Sequence, residues 1–317
     1  MAPLVPRMHL FEIDDQQWFP SFLRAKVQAA LTHAWTTKIP VIQWTSPARL
    51  VARLLATQLG DSVHDYVFID FCAGGGGPTP SIERHLNKRI LAPAAGPVSA
   101  PGSYAAVAAK DTPAEGSSAR GPVRFVLTDL HPHEENWRAA AARSPNVSYE
   151  ARSVDAANVP ADLLDGYKKD GKKVFRLFNL AFHHFDDPLA KAILRNTVET
   201  SDGFGIFELQ ERSFSSFITC CLLGVGILLT APYYAWIWRS PATLFFTYLV
   251  PVLPFVLVFD GWISSLRTRT PDEVEALLRT CGAEGGPEEL SRWEIKSGRE
   301  RHLWPTGYLN WVVCVRR

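Results

Sequence analysis

The sequence predicts an α/β protein with a seven-stranded, doubly wound sheet that ends in an antiparallel strand pair and carries an apolar helical hairpin. Three observations lead to this prediction. Short apolar runs alternate with segments of helical periodicity, which is typical of a parallel sheet with helices on both faces. The last two apolar runs have no helix between them, so we expect them to pair antiparallel. Two long stretches without a charged residue follow the fifth strand.

The first 60 residues are predicted to form a helical cap. Apolar residues from Trp18 to Leu31 recur near helical spacing, and a second helix is expected from Pro47 to Leu59. Ser46 is a good N-cap, proline suits a first helical turn, and Gly60 is a typical stop.

The sheet domain is predicted to comprise residues 61–212 and 266–317. Its helices are expected near 80–88, 134–143, 188–200 and 271–281. The predicted strands are 66–71, 123–128, 147–152, 174–181, 204–209, 293–297 and 309–315. Residues 91–121 interrupt the pattern, because 22 of these 31 residues are Ala, Gly, Pro or Ser. That composition indicates a flexible surface insertion.

A glycine-rich loop follows the first strand directly. The strand ends at Asp70-Phe71, and the loop reads Cys-Ala-Gly-Gly-Gly-Gly-Pro from Cys72. Glycine allows close approach of the backbone to a ligand, and the next helix offers free amides at its N-terminus. Asp129 and Asp155 follow the second and third strands, so all three acids are expected at the carboxyl edge of the sheet. Neither G-x-G-x-x-G nor a P-loop lysine is present.

On these residues the sequence resembles the class I S-adenosylmethionine-dependent methyltransferases, whose Rossmann-like sheet begins with a strand ending in Asp/Glu-x-Gly-x-Gly-x-Gly. Asp70, Gly74 and Gly76 match that motif, and Cys72 replaces its first glycine. The resemblance implies S-adenosylmethionine as cofactor, with Asp129 at the ribose and Asp155 at the adenine. The cofactor-binding residues implied in this way are Asp70, Cys72, Ala73, Gly74, Gly76, Asp129, Leu130, Asp155, Ala156 and Asn179.

Each of the three acids also has a simpler interpretation. Asp70 is compatible with a helix cap or a partner of the loop amides, Asp129 with a turn residue, and Asp155 with a surface carboxylate.

The candidate catalytic residues are His183, His184, Glu208 and Asp260. The histidines follow the fourth strand, where a ring that accepts a proton near neutral pH could activate an acceptor. The alternatives are a ring that stacks on adenine, a structural histidine, or a transfer that needs only alignment. Asp260 could bind substrate or pair with Arg267.

Residues 213–265 are predicted to form the apolar hairpin. Ser213–Trp238 and Ser240–Phe259 each lack charges, and only Arg239 separates them. Each stretch is long enough to cross a hydrocarbon core, so we expect a transmembrane or re-entrant hairpin. A buried helical pair in a soluble dimer or lid is the alternative.

Further details of the hairpin concern its prolines, glycines and flanking charges. Pro232, Pro251 and Pro254 are expected to kink the helices, and Gly224 and Gly226 to allow close helix approach. The flanking charges predicted to mark a cytosolic, positive side are Arg212, Arg267 and Arg269.

The composition argues against several classes of function. The chain has 317 residues and a net charge of +1, which argues against a dedicated nucleic-acid binder. Its five cysteines form no C-x-x-C pair or Cys/His cluster, so we expect reduced thiols and no metal site. No apolar segment of signal-peptide type precedes the first charges.

The combined prediction is methyl transfer from S-adenosylmethionine to a small, lipophilic acceptor at a membrane surface, with membrane lipid as partner and the enzyme domain facing the cytosol. The alternatives are a non-catalytic membrane-anchored binding or scaffold protein that keeps the fold, and a nucleotide-binding oxidoreductase. The sequence does not indicate an oligomeric state.

Overall fold

A computed structural model describes residues 3–92 and 121–317 of the chain, so all of the predicted insertion except its first two residues and its last lies outside the described residues. The seven strands form one sheet in the order β3-β2-β1-β4-β5-β7-β6. The strands are β1 Tyr66–Phe71, β2 Phe125–Thr128, β3 Val147–Tyr149, β4 Lys173–Asn179, β5 Gly203–Glu208, β6 Trp293–Leu303 and β7 Gly307–Arg316.

The first five strands are parallel, as predicted. β1 pairs with β2 on one side and with β4 on the other, and all six of its residues are buried. The chain order therefore changes direction between β1 and β4, and open α/β sheets bind ligands at such a switch point.

The antiparallel pair at the end of the chain is confirmed. β7 runs antiparallel to β5, and β6 antiparallel to β7. The last two strands extend further than predicted because β6 lies at the edge of the sheet. Its residues 298–303 are mostly polar and partly exposed, so no apolar run marks them.

The helices are α1 Ser21–Thr36, α2 Pro47–Leu59, α3 Thr79–Ile90, α4 Glu134–Ala141, α5 Ala161–Lys169, α6 Asp187–Thr200, α7 Phe214–Ile237, α8 Pro241–Leu244, α9 Val252–Arg267, α10 Pro271–Arg279 and α11 Gly286–Ser291. The Ser46 hydroxyl caps α2 by accepting from the Arg49 amide at 3.4 Å, as predicted. Helix α2 also packs on the sheet, where Val51 and Leu55 share a core with Phe68. Helix α5 was not predicted, because only Leu163 and Leu164 of its residues are buried.

The hairpin forms, but its second arm is broken. Helix α7 is the one unbroken helix among the described residues that is long and apolar enough to cross a membrane. The second arm consists of α8, a π-helical turn Phe245–Leu249 and α9, with a bend of 68° at the break. Pro251 explains the break, since proline lacks an amide hydrogen and disfavours helical backbone at the preceding residue.

The two hairpin glycines behave differently. A Cβ on Gly224 would lie 2.5 Å from Val258 Cγ2, so this glycine does permit close packing of α7 on α9. A Cβ on Gly226 would meet nothing within 4 Å. The prediction was therefore wrong for Gly226, which borders open space.

Helix α1 packs along the inner side of the hairpin. Its Leu23 and Val27 are buried against Leu257 of α9. The Lys26 ammonium donates to the hydroxyls of Ser240 at 2.8 Å and Thr243 at 2.9 Å. Other residues of the hairpin are exposed and apolar, and we call this set of residues the outer face. The outer face comprises Val225, Leu229, Tyr233, Trp236, Ile237, Phe245, Tyr248, Leu249 and Phe255.

Candidate cofactor site

Asp70 lies near the end of β1 and is buried. Its Oδ2 accepts a hydrogen bond from the Thr79 hydroxyl, which in turn accepts one from Asn179 Nδ2 at 3.1 Å. The other side-chain oxygens, Oδ1 of Asp70 and Oδ1 of Asn179, are buried without a partner. Burial raises the pKa of Asp70 to about 7. Two oxygens at the carboxyl edge of the sheet are thus unpaired, a costly arrangement that a polar ligand would relieve.

The loop after β1 turns through left-handed backbone. The φ angles are +64° at Cys72, +50° at Gly74 and +101° at Gly76. Cys72 therefore makes the turn in place of the first glycine, at a cost of about 1–2 kcal/mol for a residue with a side chain. Burial also raises the pKa of the Cys72 thiol, which disfavours its thiolate form. A Cβ on Gly74 would meet nothing within 4 Å, so space is open beside the loop.

Asp129 holds the loop in place. Its Oδ2 accepts from the Gly74 amide at 2.9 Å, and its Oδ1 accepts from the His131 amide at 2.8 Å. Trp137 Nε1 donates to the Gly74 carbonyl at 2.8 Å. The simpler interpretation of Asp129 as a turn residue is thus partly right. Its carboxylate holds the turn at His131 and also the glycine loop. Each carboxylate oxygen keeps a lone pair for a further donor.

Asp155 is exposed at the exit of β3, where its Oδ1 accepts from the Ala157 amide at 2.8 Å. The Val154 amide donates to the Asp129 carbonyl at 2.9 Å, which ties this loop to the preceding one. The structure therefore brings Asp70, Asp129 and Asp155 to one edge of the sheet. Leu130 is half exposed beside them.

Arg176 supports the Asp155 loop from within β4 and was missed by sequence reasoning. It is fully buried, and its Nη1 donates to the Ala156 carbonyl at 3.1 Å. Its remaining donors reach neutral oxygens, including Ser201 Oγ at 2.6 Å and Asn196 Oδ1 at 2.7 Å. Burial lowers the pKa of Arg176 to about 9. The available signal was an arginine within an apolar strand, a position that requires many hydrogen-bond partners.

His183 is buried with a carboxylate near each ring nitrogen. Glu208 Oε2 lies 2.8 Å from Nδ1, and Glu208 Oε1 accepts from the His183 amide at 3.2 Å. Glu12 Oε1 lies 3.7 Å from Nε2. Of the predicted catalytic residues, His183 and Glu208 are therefore in contact. Glu12 was not predicted, since its N-terminal segment carries no motif and meets the histidine only through folding.

His184 belongs to an ion network that joins the N-terminal segment to α9. Its Nδ1 lies 3.2 Å from Asp15 Oδ2, and Arg267 Nη1 lies 2.9 Å from Glu12 and 3.1 Å from Asp15. Burial opposes a charged His184 ring, but the hydrogen bond to Asp15 and the Glu12 charge raise its pKa to about 9. Burial would raise the pKa of Asp15, yet hydrogen bonds from His184 and Arg267 hold it below its usual range.

This network also contains a group with possible metal ligands. Ligand atoms of Glu12, His183 and His184 lie within 4.8 Å of one another. The Arg267 guanidinium already provides the cation for Glu12, which argues against a second cation at this place.

Two expectations about charges near the hairpin were wrong. Asp260 does not pair with Arg267, because its carboxylate accepts from the amides of Ile13 at 2.7 Å and Asp14 at 2.9 Å. The flanking arginines are buried rather than interfacial. Arg212 is paired with Glu273, Arg267 with Glu12 and Asp15, and Arg269 with Asp187.

Comparison with solved structures finds proteins that align over most of the chain at low sequence identity. The methyltransferase domain of bacterial CtHen1-C is 10 % identical, over 85 % of this chain and 98 % of that chain, with a TM-score of 0.42. The N-terminal domain of EvdMO1, solved in the presence of SAH and D-fucose, is 12 % identical over 93 % and 97 %, with a TM-score of 0.38. A cyclopropane-fatty-acyl-phospholipid synthase-like protein from Lactobacillus casei is 8 % identical over 92 % and 99 %, with a TM-score of 0.37.

These similarities concern the fold alone. Comparison of the sequence with protein-family models and with curated proteins finds no match. The predicted fold is confirmed, because five parallel strands are followed along the chain by an antiparallel pair.

Proposed function

We propose that the chain is an S-adenosylmethionine-dependent methyltransferase that acts on a small, lipophilic acceptor at a membrane surface. The observation that carries the proposal is the edge of the sheet beside the switch point. Buried oxygens of Asp70 and Asn179 have no partner there, and open space lies next to Gly74. A ligand held close to the backbone would fill this space, and its polar groups would supply the missing hydrogen-bond partners.

The residues present fit this cofactor. Asp70, Gly74 and Gly76 would hold its amino-acid part, Asp129 its ribose and Asp155 its adenine, as the resemblance implies. When bound, S-adenosylmethionine supplies an electrophilic methyl group on a sulfonium. The chain then needs to hold the acceptor in line with that group, and alignment alone supplies much of the rate.

His183 is the candidate base for acceptors that must lose a proton. Glu208 binds Nδ1 and leaves Nε2 as the atom that could accept it. Glu12 lies on that side of the ring, so a base role would require an acceptor to replace this contact.

The outer face supports association with a membrane. Its nine large apolar residues are exposed, which is typical of a surface that contacts a membrane or a partner rather than water alone. Helix α1 packs against the hairpin but carries Arg24, Lys26 and His33, so it is too polar to span with it. We therefore favour a re-entrant hairpin that enters one leaflet with its outer face.

Calorimetric titration of the full chain in lipid nanodiscs with S-adenosylhomocysteine tests the cofactor. We expect saturable binding that Asp70→Asn abolishes and Asp170→Asn preserves. Asp170 is a matched control because it is an exposed aspartate that precedes β4, at the opposite edge of the sheet. Absence of binding by the unaltered chain would favour the scaffold alternative. Comparison of cellular metabolites with and without Asp70→Asn would then identify the acceptor.

Flotation with phosphatidylcholine vesicles tests the membrane. We expect the full chain to float, and the double variant Leu229→Glu, Trp236→Glu to stay in solution. Leu189→Glu is the control, since Leu189 is also an exposed apolar residue but lies on α6. A full chain that is monomeric without detergent and does not float would contradict the proposal.

A further inference from the structure

An apolar cavity of about 200 Å³ lies between α1, α7, α9 and β6. Its apolar wall includes Ala30, Leu31, Leu223, Ile227 and Leu257. Leu180 and Leu209 also line it, and these residues directly follow Asn179 and Glu208 at the carboxyl edge of the sheet. The cavity therefore borders the edge at which the cofactor site lies.

Three polar side chains in the cavity wall are more than nine-tenths buried, and each has at least one atom without a hydrogen-bond partner. The unpaired atoms are Gln210 Oε1, Thr247 Oγ1 and both ring nitrogens of His302. The exposed fractions of these residues are 8 %, 1 % and 8 %. Buried polar groups are nearly always hydrogen-bonded in native proteins, because an unpaired group keeps its full desolvation cost. Several of them around one apolar cavity indicate a ligand that supplies the missing partners.

The unpaired atoms define the chemistry of that ligand. Burial lowers the pKa of His302 to about 4, so its ring is neutral and has one donor and one acceptor nitrogen. Gln210 Oε1 only accepts, and the Thr247 hydroxyl does both. A hydroxyl group can donate to an acceptor such as Gln210 Oε1, and it can accept from a donor such as the N–H of the His302 ring. A carboxylate could only accept, which would leave Gln210 Oε1 unpaired.

One cation also lines the cavity. The Lys26 ammonium already donates to the hydroxyls of Ser240 and Thr243, and it lies 5.8 Å from the centre of the Trp238 ring. These contacts use two of its three hydrogens, and the third could bind an anionic head group. The experiment below therefore compares a neutral with an anionic probe.

We propose that this cavity binds a neutral amphiphile, with its apolar chain along α1 and α7 and a hydroxyl group on His302 and Gln210. Binding requires only the cavity and stands without the cofactor. The further assignment of this hydroxyl compound as the methyl acceptor rests on the proposed function.

The test uses the full chain in phosphatidylcholine nanodiscs without cofactor, by equilibrium dialysis against three labelled probes of equal chain length. The probes are 1-dodecanol, its methyl ether and dodecanoate, and empty nanodiscs correct for partition into lipid. We expect the alcohol to bind about tenfold more tightly than the ether, which cannot donate a hydrogen bond. Equal binding of all three probes, or no saturable binding, would overturn the proposal. Tighter binding of dodecanoate would replace it with an anionic ligand at Lys26.

Three variants locate the bound alcohol. His302→Leu should remove the preference for the alcohol while keeping or raising the resistance to urea, because an unpaired imidazole is lost. Gly226→Leu should block all three probes, since it fills open space beside the cavity. Val225→Leu is the matched control on the exposed side of α7 and should bind normally. An unchanged preference in His302→Leu, or normal binding by Gly226→Leu, would place the alcohol elsewhere.

The two proposals can fail separately. Loss of S-adenosylhomocysteine binding leaves the dialysis result intact. If the alcohol binds but is not methylated in the presence of S-adenosylmethionine, only its assignment as acceptor is wrong.

Discussion

Substitution of Gly74 by alanine separates the structural role of the glycine loop from its role in binding. Gly74 has φ +50°, where a residue with a Cβ is strained by about 1–2 kcal/mol. No atom lies within 4 Å of the added Cβ, so there is no steric cost within the protein. We therefore expect Gly74→Ala to lower the free energy of unfolding by about 1–2 kcal/mol and to leave the chain folded.

The effect on binding should be larger than strain alone explains. If the cofactor fills the open space beside the loop, the new methyl group overlaps it. Overpacking of this kind costs about 1–3 kcal/mol, which corresponds to an increase in Kd of roughly 5- to 150-fold.

Gly171→Ala is the matched control. Gly171 has φ +71° and also has nothing within 4 Å of a built Cβ, but it lies in the turn before β4, at the opposite edge of the sheet. Urea unfolding should show a similar loss for both variants. Calorimetric titration with S-adenosylhomocysteine should show weakened binding for Gly74→Ala alone. Binding by Gly74→Ala as tight as that of Gly171→Ala would refute the placement of the ligand against this loop.

Three further predictions concern buried charges. Asp70→Asn should raise the free energy of unfolding at pH 8 by about 1–3 kcal/mol. The parent carboxyl has a pKa of about 7, so at pH 8 it is an ionised group held in a buried place, which destabilises the folded state. Urea unfolding at pH 8 measures the difference, and equal stability of variant and parent would contradict this prediction. The raised pKa of His184, about 9 against 6.5, means that its contact with Asp15 stabilises fully below pH 6.5 and is lost towards pH 9. The parent should thus lose about 1 kcal/mol more than His184→Gln does between those pH values, a modest difference because the ring is partly exposed. Arg176→Met should cost about 1–3 kcal/mol, because buried neutral acceptors lose their donor, and should weaken binding of S-adenosylhomocysteine through the Ala156 carbonyl. Unchanged binding after Arg176→Met would restrict that arginine to stability.

The fold was largely predictable because most of its signals are local. The parallel strands are short, continuous apolar runs, and the cap of α2 consists of neighbouring residues. Predictions failed where burial depends on distant parts of the chain. The outer half of β6 is polar and half exposed, and α5 buries only two leucines. Neither segment therefore shows a clear hydrophobic periodicity in the sequence. The break at Pro251 was foreseen, but the π-helical turn before it was not.

The candidate site also combines residues that a local motif predicts with residues that only folding brings together. Asp70 and the glycine loop were recognisable because a motif of seven residues contains them. The positioning role of Arg176 and the contact between Glu12 and His183 were not recognisable. The partners in these pairs lie 20 and 171 residues apart, and no local pattern records which side chains folding brings together.

The alternation of strands and helices, the position of the glycine loop and the concentration of apolar residues after β5 can all be recognised in the sequence. Each of these follows from backbone conformation or hydrophobic periodicity over a few turns of chain. The burial of the flanking arginines, the packing of α1 on the hairpin, and the presence of His302 and Gln210 in the wall of one cavity become visible only in the folded chain. These results depend on which surfaces exclude water when distant segments pack, and that is a property of the whole fold.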